Sequence, residues 1–113
     1  MIRIAIVEDD QSADDQLTAC LEKLSLQSKE VFDLSHYPDA QQFLFAFRSQ
    51  FDLIFMDIEM PNMDGLSAAR RMREIDSNVA LVFVTNLARY AINGYEVSAL
   101  DYILKPLDYD AFY

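Results

Sequence analysis

The sequence lacks several features that would point to secretion, membrane insertion or nucleic-acid binding. It has one cysteine, Cys20, so it cannot form an internal disulfide, which agrees with a reducing compartment. Its apolar runs are only as long as strands, well short of the roughly 20 residues that cross a bilayer, and no signal peptide is evident. Nine basic residues stand against 19 acidic ones, for a net charge of −10, which argues against direct nucleic-acid binding because phosphate contacts need Lys and Arg. We therefore expect a cytoplasmic protein without a membrane anchor, whose acidic residues recruit a cation.

Short apolar runs alternate with segments of helical periodicity, and the 113 residues fit one domain. No internal repeat, linker or low-complexity tract interrupts the alternation. Because parallel crossovers are right-handed, this order predicts an α/β fold with a doubly wound, five-stranded parallel sheet and helices on both faces. The predicted strands are residues 2–7, 31–35, 53–56, 79–84 and 100–104, and the predicted helices begin near residues 12, 38, 65, 87 and 108. The last helix would be cut short at residue 113, as expected of a domain taken from a longer protein.

Several polar residues have simple structural interpretations. Ser12, with Asp15 three residues later, resembles a capping box at the start of the first helix. Asp64 is a good N-cap for the third helix. Five more residues belong to this group: Asp10 at a helix N-terminus, His36 on the second strand, and Arg70, Arg71 and Arg73 on a solvated helix face.

Polar side chains directly follow four of the predicted strands. Glu8 and Asp9 follow the first strand, Asp57 the third, Thr85 the fourth and Lys105 the fifth. In a doubly wound sheet, ligands bind beyond the carboxyl ends of the strands, so we expect these side chains to share one crevice. Two carboxylates about 4 Å apart repel each other by roughly 4 kcal/mol at an effective dielectric of about 20. Protonation or Lys105 could relieve that repulsion, but a hard cation such as Mg²⁺ is the stronger candidate.

The hydroxyl of Thr85 and the ammonium of Lys105 indicate that the crevice handles a phosphoryl group. A cation and Lys105 would offset charge on the phosphoryl oxygens, and Thr85 could donate a hydrogen bond to them. A carboxylate such as that of Asp57 can itself be the nucleophile and form an aspartyl phosphate. The spacing by itself therefore predicts a Mg²⁺-dependent phosphoryl site.

Four motifs resemble those of response-regulator receiver domains, and together they extend over the whole chain. They are I-V-E-D-D at residues 6–10, M-D-I-E-M-P-N-M-D-G at 56–65, F-V-T at 83–85 and D-Y-I-L-K-P at 101–106. The second motif is highly specific, and all four in this order leave little room for coincidence. The resemblance implies a flavodoxin-like fold with the strand order 2-1-3-4-5, an order that belongs to the family and is not deduced from the pattern.

The resemblance also implies how the site would work as a switch. Asp57 would accept a phosphoryl group from a partner sensor histidine kinase, while Thr85 and Lys105 contact the phosphoryl oxygens. Tyr102 stands where the family has its switch aromatic, although a plain core aromatic is the alternative interpretation. The peptide bond between Lys105 and Pro106 would be cis.

A set of metal ligands follows from the same resemblance. Asp9 and Asp57 would bind Mg²⁺ directly, and Glu8 would act through a water molecule. The backbone carbonyl of Glu59 would complete the protein's share of the coordination.

Residues 85–106 are similar to receivers that are fused to a LytTR-type DNA-binding domain. This similarity implies that residues 1–113 form a receiver domain and that an output domain, absent from this chain, controls transcription downstream of it. Homodimer formation on phosphorylation is a further expectation.

Three other functions remain open from the residues alone. Haloacid-dehalogenase-type phosphatases also use an Asp nucleophile with Mg²⁺, but they need a second Asp two residues later, where Glu59 stands, and a cap or a longer chain. A receiver-like interaction module that takes no phosphate is disfavoured because Asp9, Asp57, Thr85 and Lys105 are all present. A free-standing receiver without an output domain is disfavoured by the incomplete last helix.

Overall fold

Strands and helices alternate along the described part of the chain, which is residues 1–60, 63–85 and 97–105 of a computed structural model. The five strands are parallel and lie in the order β2-β1-β3-β4-β5, so the predicted doubly wound sheet is confirmed. The elements in chain order are β1 (Ile2–Val7), α1 (Gln11–Ser28), β2 (Phe32–Tyr37), α2 (Ala40–Ala46), β3 (Leu53–Met56), α3 (Gly65–Ile75), β4 (Ala80–Thr85) and β5 (Asp101–Leu104).

Alternate residues of the central strands pack into two apolar layers, one on each face of the sheet. Successive strand side chains point to opposite faces. In β4, Leu81 and Phe83 join the layer that includes α2 and α3, whereas Val82 and Val84 join the layer that includes α1. Burial on both faces explains why the central strands are continuous apolar runs. The helices contribute Leu17 and Leu21 from α1, Phe43 from α2, and Leu66 and Met72 from α3.

The start of α1 differs from the sequence prediction. The helix begins before Ser12, and its N-cap is Asp10, whose side chain accepts a hydrogen bond from the Ser12 amide at 3.2 Å. The Asp15 carboxylate accepts from the side-chain amide of Gln11 at 2.9 Å. The predicted capping box of Ser12 and Asp15 is therefore wrong, because Asp10 already takes up an amide of the first turn.

The other two helices that the structure describes are also capped by aspartates. Asp64 is the N-cap of α3 as predicted, and it accepts from the Ser67 amide at 2.8 Å. The second helix begins at Ala40, two residues later than predicted from Pro38, because Asp39 supplies its N-cap. Proline is favoured at the first helical position, but here the Asp39 side chain accepts from the Gln42 amide at 2.8 Å and places the helix start after it.

The second strand lies farther along the chain than predicted. It pairs with β1 in register from Ile2 opposite Phe32 to Val7 opposite Tyr37, and this ladder carries the strand beyond residue 35. His36 on this strand is structural, as expected, because its Nδ1 lies 2.9 Å from Oδ1 of Asp14. The strands β4 and β5 likewise begin one residue later than predicted.

Three apolar residues that stand at helical spacing with the core positions of α1 and α3 lie farther out. Cys20 and Leu24 stand at the edge of the apolar stripe of α1 and are partly exposed. Ile75 is the last residue of α3 and is 55% exposed. Helical spacing therefore predicts the centre of each stripe better than its edges.

Some predictions fall on residues outside those described. They are the helix at 87–93, the helix that begins near residue 108, and the peptide bond to Pro106. Among the helices that the structure describes, none has the length and apolar character needed to span a membrane.

Candidate functional site

The side chains that follow the strands meet at one edge of the sheet. The Lys105 ammonium lies 2.6 Å from Oε1 of Glu8 and 3.2 Å from Oδ2 of Asp57. Carboxylate oxygens of Glu8, Asp9 and Asp57 lie within 4.8 Å of one another. Glu8 and Asp57 are buried, whereas Asp9 is exposed. The crevice therefore has a buried acidic floor and one side that is open to solvent.

Backbone hydrogen bonds to neighbouring strands hold three of these residues. The amide of Glu8 donates to the carbonyl of Tyr37 at 3.0 Å, and the amide of Asp57 donates to Val7 at 3.0 Å. The amide of Lys105 donates to the carbonyl of Thr85 at 2.9 Å. Each residue thus extends the hydrogen-bonded ladder one step past its strand, so the parallel register fixes where its side chain begins.

Burial and charge act on Glu8 and Lys105 in different ways. Burial is the largest influence on Glu8, and with the charge of Asp57 it raises the pKa from 4.5 to about 7, although the hydrogen bond from Lys105 lowers it. Burial lowers the pKa of Lys105, but the bonds and charges of the two carboxylates outweigh burial and leave that pKa above its usual value. The pKa of Glu8 and that of Lys105 can both be raised, because two carboxylates stabilise the one ammonium. Each carboxylate, in turn, is stabilised by only part of the charge of that ammonium.

The crevice suits a hard divalent cation. Glu8, Asp9 and Asp57 each offer one carboxylate oxygen to a common point, and oxygen ligands are those that Mg²⁺ and Ca²⁺ prefer. Three carboxylates stand against the one ammonium of Lys105, so the site carries excess negative charge when all three are ionised. A cation would supply the missing positive charge.

Gly65 is a structural requirement of the site that the sequence analysis missed. Its amide donates to the carbonyl of Ile58 at 2.8 Å, which folds the start of α3 back onto the backbone after β3. A Cβ at this position would lie 2.1 Å from the carbonyl oxygen of Asp57 and 2.9 Å from the Cα of Ile58. The sequence did contain a signal for this requirement. Glycine stands directly after the N-cap Asp64, at a helical position where a side chain is normally tolerated.

The remaining site residues have distinct surroundings. Thr85 is fully buried at the end of β4. Glu59 is exposed, and its amide makes only a long contact of 3.4 Å to Oδ1 of Asp57. Tyr102 is partly buried on β5, and its ring centroid lies 6.0 Å from that of Phe83. The switch role of Tyr102 and the ligand role of the Glu59 carbonyl remain predictions.

Arg73 does not lie on a solvated helix face, so that prediction is wrong. It is only partly exposed, and its guanidinium donates hydrogen bonds to four backbone carbonyls. Burial is the largest influence on this group and lowers its pKa, while the charge of Asp76 raises it. Arg70 and Arg71, by contrast, are exposed as expected. Helical spacing alone could not separate the three arginines, because two of these carbonyls, those of Val97 and Ser98, lie 24 and 25 residues away.

The fold and this crevice together define a class of protein. Residues 4–113 match the response regulator receiver domain family, so the chain belongs to that family. It is the receiver domain of a two-component response regulator, and the resemblance found in the sequence is confirmed.

The most similar curated relatives include sensory transduction proteins. LytT of Bacillus cereus is 32% identical over 108 residues, which are 96% of this chain and 43% of that protein. LytR of Streptococcus mutans is 32% identical over 108 residues, which cover 95% of this chain and 43% of that protein. The chain therefore spans less than half the length of these relatives.

Solved structures match nearly the whole chain. The response regulatory domain of protein MrkE from Klebsiella pneumoniae is 26% identical with a TM-score of 0.84, covering 98% of this chain and 88% of that one. The receiver domain of a sensor histidine kinase from Pseudomonas aeruginosa is 25% identical with a TM-score of 0.81, covering 98% and 90%. That domain was solved with a magnesium ion coordinated in its active site cleft.

Proposed function

We propose that Asp57 accepts a phosphoryl group from a sensor histidine kinase and that this event switches the signalling surface of the domain. The observation that carries the proposal is the position of Asp57. Its buried carboxylate lies 3.2 Å from the Lys105 ammonium and shares its crevice with two more carboxylates. A nucleophile beside a fixed positive charge, at the carboxyl end of a parallel sheet, is suited to phosphoryl transfer.

Mg²⁺ is the cofactor that best fits this crevice. Asp9 and Asp57 would bind it directly, Glu8 through a water molecule and Glu59 through its backbone carbonyl. When bound, it would offset the charge that develops on the phosphoryl oxygens. The magnesium ion in the related Pseudomonas aeruginosa domain supports this choice.

The reaction would use three side chains of this chain. An oxygen of the Asp57 carboxylate forms a bond to phosphorus, while the bond from phosphorus to the kinase's histidine nitrogen breaks and its electron pair stays on that nitrogen. Lys105 remains charged and moves from Glu8 toward the new phosphoryl oxygens. Thr85 donates its hydroxyl hydrogen to one of them.

The switch would be read out through β4 and β5. The backbone bond between Lys105 and Thr85 already couples the ends of these strands. A shift of Thr85 toward the phosphoryl group would therefore disturb the packing of Tyr102 beside Phe83. Such a charge event shifts the balance between two arrangements that both exist beforehand.

In the full-length protein, residues 1–113 would be the receiver, followed by a LytTR-type DNA-binding domain that controls transcription. The relatives LytT and LytR support this arrangement, since each is more than twice as long as the matched segment. The receiver itself, with a net charge of −10, would not contact DNA, although it could form a homodimer when phosphorylated. We propose a cytoplasmic location and no turnover of external substrates beyond loss of its own phosphoryl group.

The decisive test is intact mass after incubation with acetyl phosphate, with and without Mg²⁺, for the wild type and Asp57→Asn. We expect one phosphoryl adduct that requires Mg²⁺ and is absent from the variant. Circular dichroism must show that Asp57→Asn is folded. If the folded, Mg²⁺-loaded wild type forms no adduct and does not respond to beryllofluoride, the domain is an interaction module that takes no phosphate.

A further inference from the structure

Arg73 joins α3 to the backbone six residues further along the chain and to a segment 24 and 25 residues away. Its Nε donates to the carbonyl of Val97 at 2.7 Å, its Nη1 to that of Val79 at 2.7 Å, and its Nη2 to that of Ser98 at 3.2 Å. A longer contact of 3.4 Å links Nη1 to the carbonyl of Asp76. The side chain therefore ties α3 to the backbone just before β4 and to the backbone that leads into β5.

An arginine is the residue that can make this set of bonds. Its planar guanidinium carries five donors in a rigid fork and can bind carbonyls in several directions at once, whereas a lysine ammonium is a point charge at the end of a flexible chain. Val97 and Val79 are 2% and 7% exposed, so two of the three shorter bonds lie in a packed part of the domain, whereas Ser98 is exposed. Such bonds hold backbone segments in place, and their loss would leave the carbonyls of Val79 and Val97 without these donors.

In the described part of the chain, the strand that follows Val97 and Ser98 is bonded through its backbone on one side only, although Tyr102 and Ile103 pack against the two apolar layers. β5 lies at the edge of the sheet, has four residues and pairs with β4 alone. Ser98 has a φ of 55°, in the left-handed region that residues other than glycine rarely adopt. Arg73 binds the carbonyl of this same residue, so it helps to hold an unfavourable conformation at the entrance to the strand.

We propose that Arg73 is a positioning residue for Lys105. By holding the start of β5, it sets where the ammonium at the far end of that strand lies against Asp57 and Glu8. The inference rests on the proposed phosphorylation of Asp57, in which that ammonium contacts the phosphoryl oxygens. A short edge strand that loses its anchor can fray or shift along its partner, and the side chain just past its end then loses its fixed position.

The first experiment measures phosphorylation and metal binding separately in Arg73→Met and in Arg71→Met. Arg71 is exposed on the same helix, so its variant controls for the loss of one positive charge. Misplacement of a reacting group by about 1 Å can slow a reaction by about a hundredfold, so we expect Arg73→Met to slow phosphorylation by acetyl phosphate at least about tenfold. Arg71→Met should match the wild type.

Metal binding distinguishes positioning from a loss of stability. Calorimetric titration should show that the Mg²⁺ affinity of Arg73→Met is unchanged or higher, because Lys105 competes with the cation for Glu8 and Asp57. An unstable protein would instead lose metal affinity and phosphorylation together. Arg73→Lys keeps the charge without the fork and should rescue the phosphorylation rate only in part.

A double-mutant cycle identifies the residue through which Arg73 acts. In a Lys105→Ala background, the further change Arg73→Met should alter the phosphorylation rate by less than about twofold, because the group that it positions is already gone. Hydrogen exchange should show faster exchange at the Leu100 and Lys105 amides, which donate to Leu81 and Thr85, and no change at Asp57.

The outcomes separate this inference from the proposed function. If the wild type is phosphorylated on Asp57 and Arg73→Met is phosphorylated at the same rate, Arg73 has no positioning role. The inference would also be overturned if Arg73→Met slowed phosphorylation tenfold both in the wild type and in the Lys105→Ala background. Arg73 would then act independently of Lys105. If the wild type itself takes no phosphoryl group, the proposed function is wrong, whereas the exchange measurement still reports whether Arg73 anchors β5.

Discussion

Gly65 stands directly against the backbone of Asp57, and a Cβ at Gly65 would lie 2.1 Å from the Asp57 carbonyl oxygen. No glycine in the described residues has a positive φ, so this glycine is required for space and not for an unusual backbone angle. The start of α3 can approach the loop after β3 only because position 65 has no side chain. The position of the proposed phosphoacceptor therefore depends on the absence of a side chain at position 65, eight residues further along the chain.

We predict that Gly65→Ala destabilises the domain and disturbs the site. The methyl group meets backbone atoms that cannot rotate away, and overpacking of this kind costs about 1–3 kcal/mol. Urea unfolding should show that loss, while Ser67→Ala, in the same turn of α3, should cost much less. At temperatures where Gly65→Ala is folded, its phosphorylation by acetyl phosphate should still be slower than that of the wild type. A variant with wild-type stability would show that the loop after β3 is free to move.

Glu8 makes the stability of the metal-free domain depend on pH. Its pKa is about 7 in the folded protein, compared with the ordinary value of 4.5 that applies to the unfolded chain, so the folded state favours the protonated carboxyl. The corresponding stability is fully present below about pH 4.5 and is lost as the pH rises through about 7. Glu8→Gln should therefore stabilise the metal-free protein at pH 8, by on the order of 1–3 kcal/mol, and much less at pH 5.

The measurement is urea unfolding of the wild type and Glu8→Gln in EDTA at both pH values, with Glu22→Gln as a control on the exposed face of α1. Added Mg²⁺ should reduce the advantage of Glu8→Gln, because the cation stabilises the charged carboxylate. If Glu8→Gln is less stable than the wild type at pH 8 in EDTA, then Lys105 alone already offsets the charge of the crevice.

Asp76 should have the opposite dependence on pH. The hydroxyl of Ser49 donates to its carboxylate, and the amides of Asn78 and Val79 donate at 2.8 and 3.0 Å, so its pKa lies below the usual 3.8. The stability that follows is present above about pH 3.8 and is lost as the pH falls through the lower, folded value. Asp76→Asn should cost about 1 kcal/mol at pH 7, and this difference should shrink near pH 3.

Urea unfolding at the two pH values measures this difference, and Glu74→Gln, exposed on α3, is the matched control. An equal loss at pH 7 and pH 3 would show that Asp76 acts through the shape of its hydrogen bonds and not through its charge.

The sequence was informative where a feature depends on neighbours in the chain. The ends of β1 and β3, the Asp64 cap and the polar residues after the strands were all predicted from short patterns, and the topology rule then brought Glu8, Asp57 and Lys105 to one edge. It was uninformative where the partner is distant. The bonds of Arg73 to Val97 and Ser98 join residues 24 and 25 apart, and no local pattern distinguishes this arginine from its neighbours on α3.

The boundaries of some helices and strands were predicted wrongly because a competing residue or strand pairing determined them. Ser12 is a good cap, but Asp10 lies nearer the end of β1 and takes its place. The end of β2 was missed because Tyr37 is held by its pairing with Val7, and pairing of this kind cannot be seen in β2 itself.

The amides of Glu8, Asp57 and Lys105 all donate to carbonyls of adjacent strands. The backbone of each residue is therefore part of the sheet. Its hydrogen bonds open as slowly as those of the sheet, and it does not share the faster motion of a surface loop. Heating or denaturant that frays the helix ends should leave the separation between Glu8 and Asp57 almost unchanged, because they follow the interior strands β1 and β3. We expect the acidic floor of the crevice to be among the last parts of the domain to lose its shape, after the edge strand that leads to Lys105.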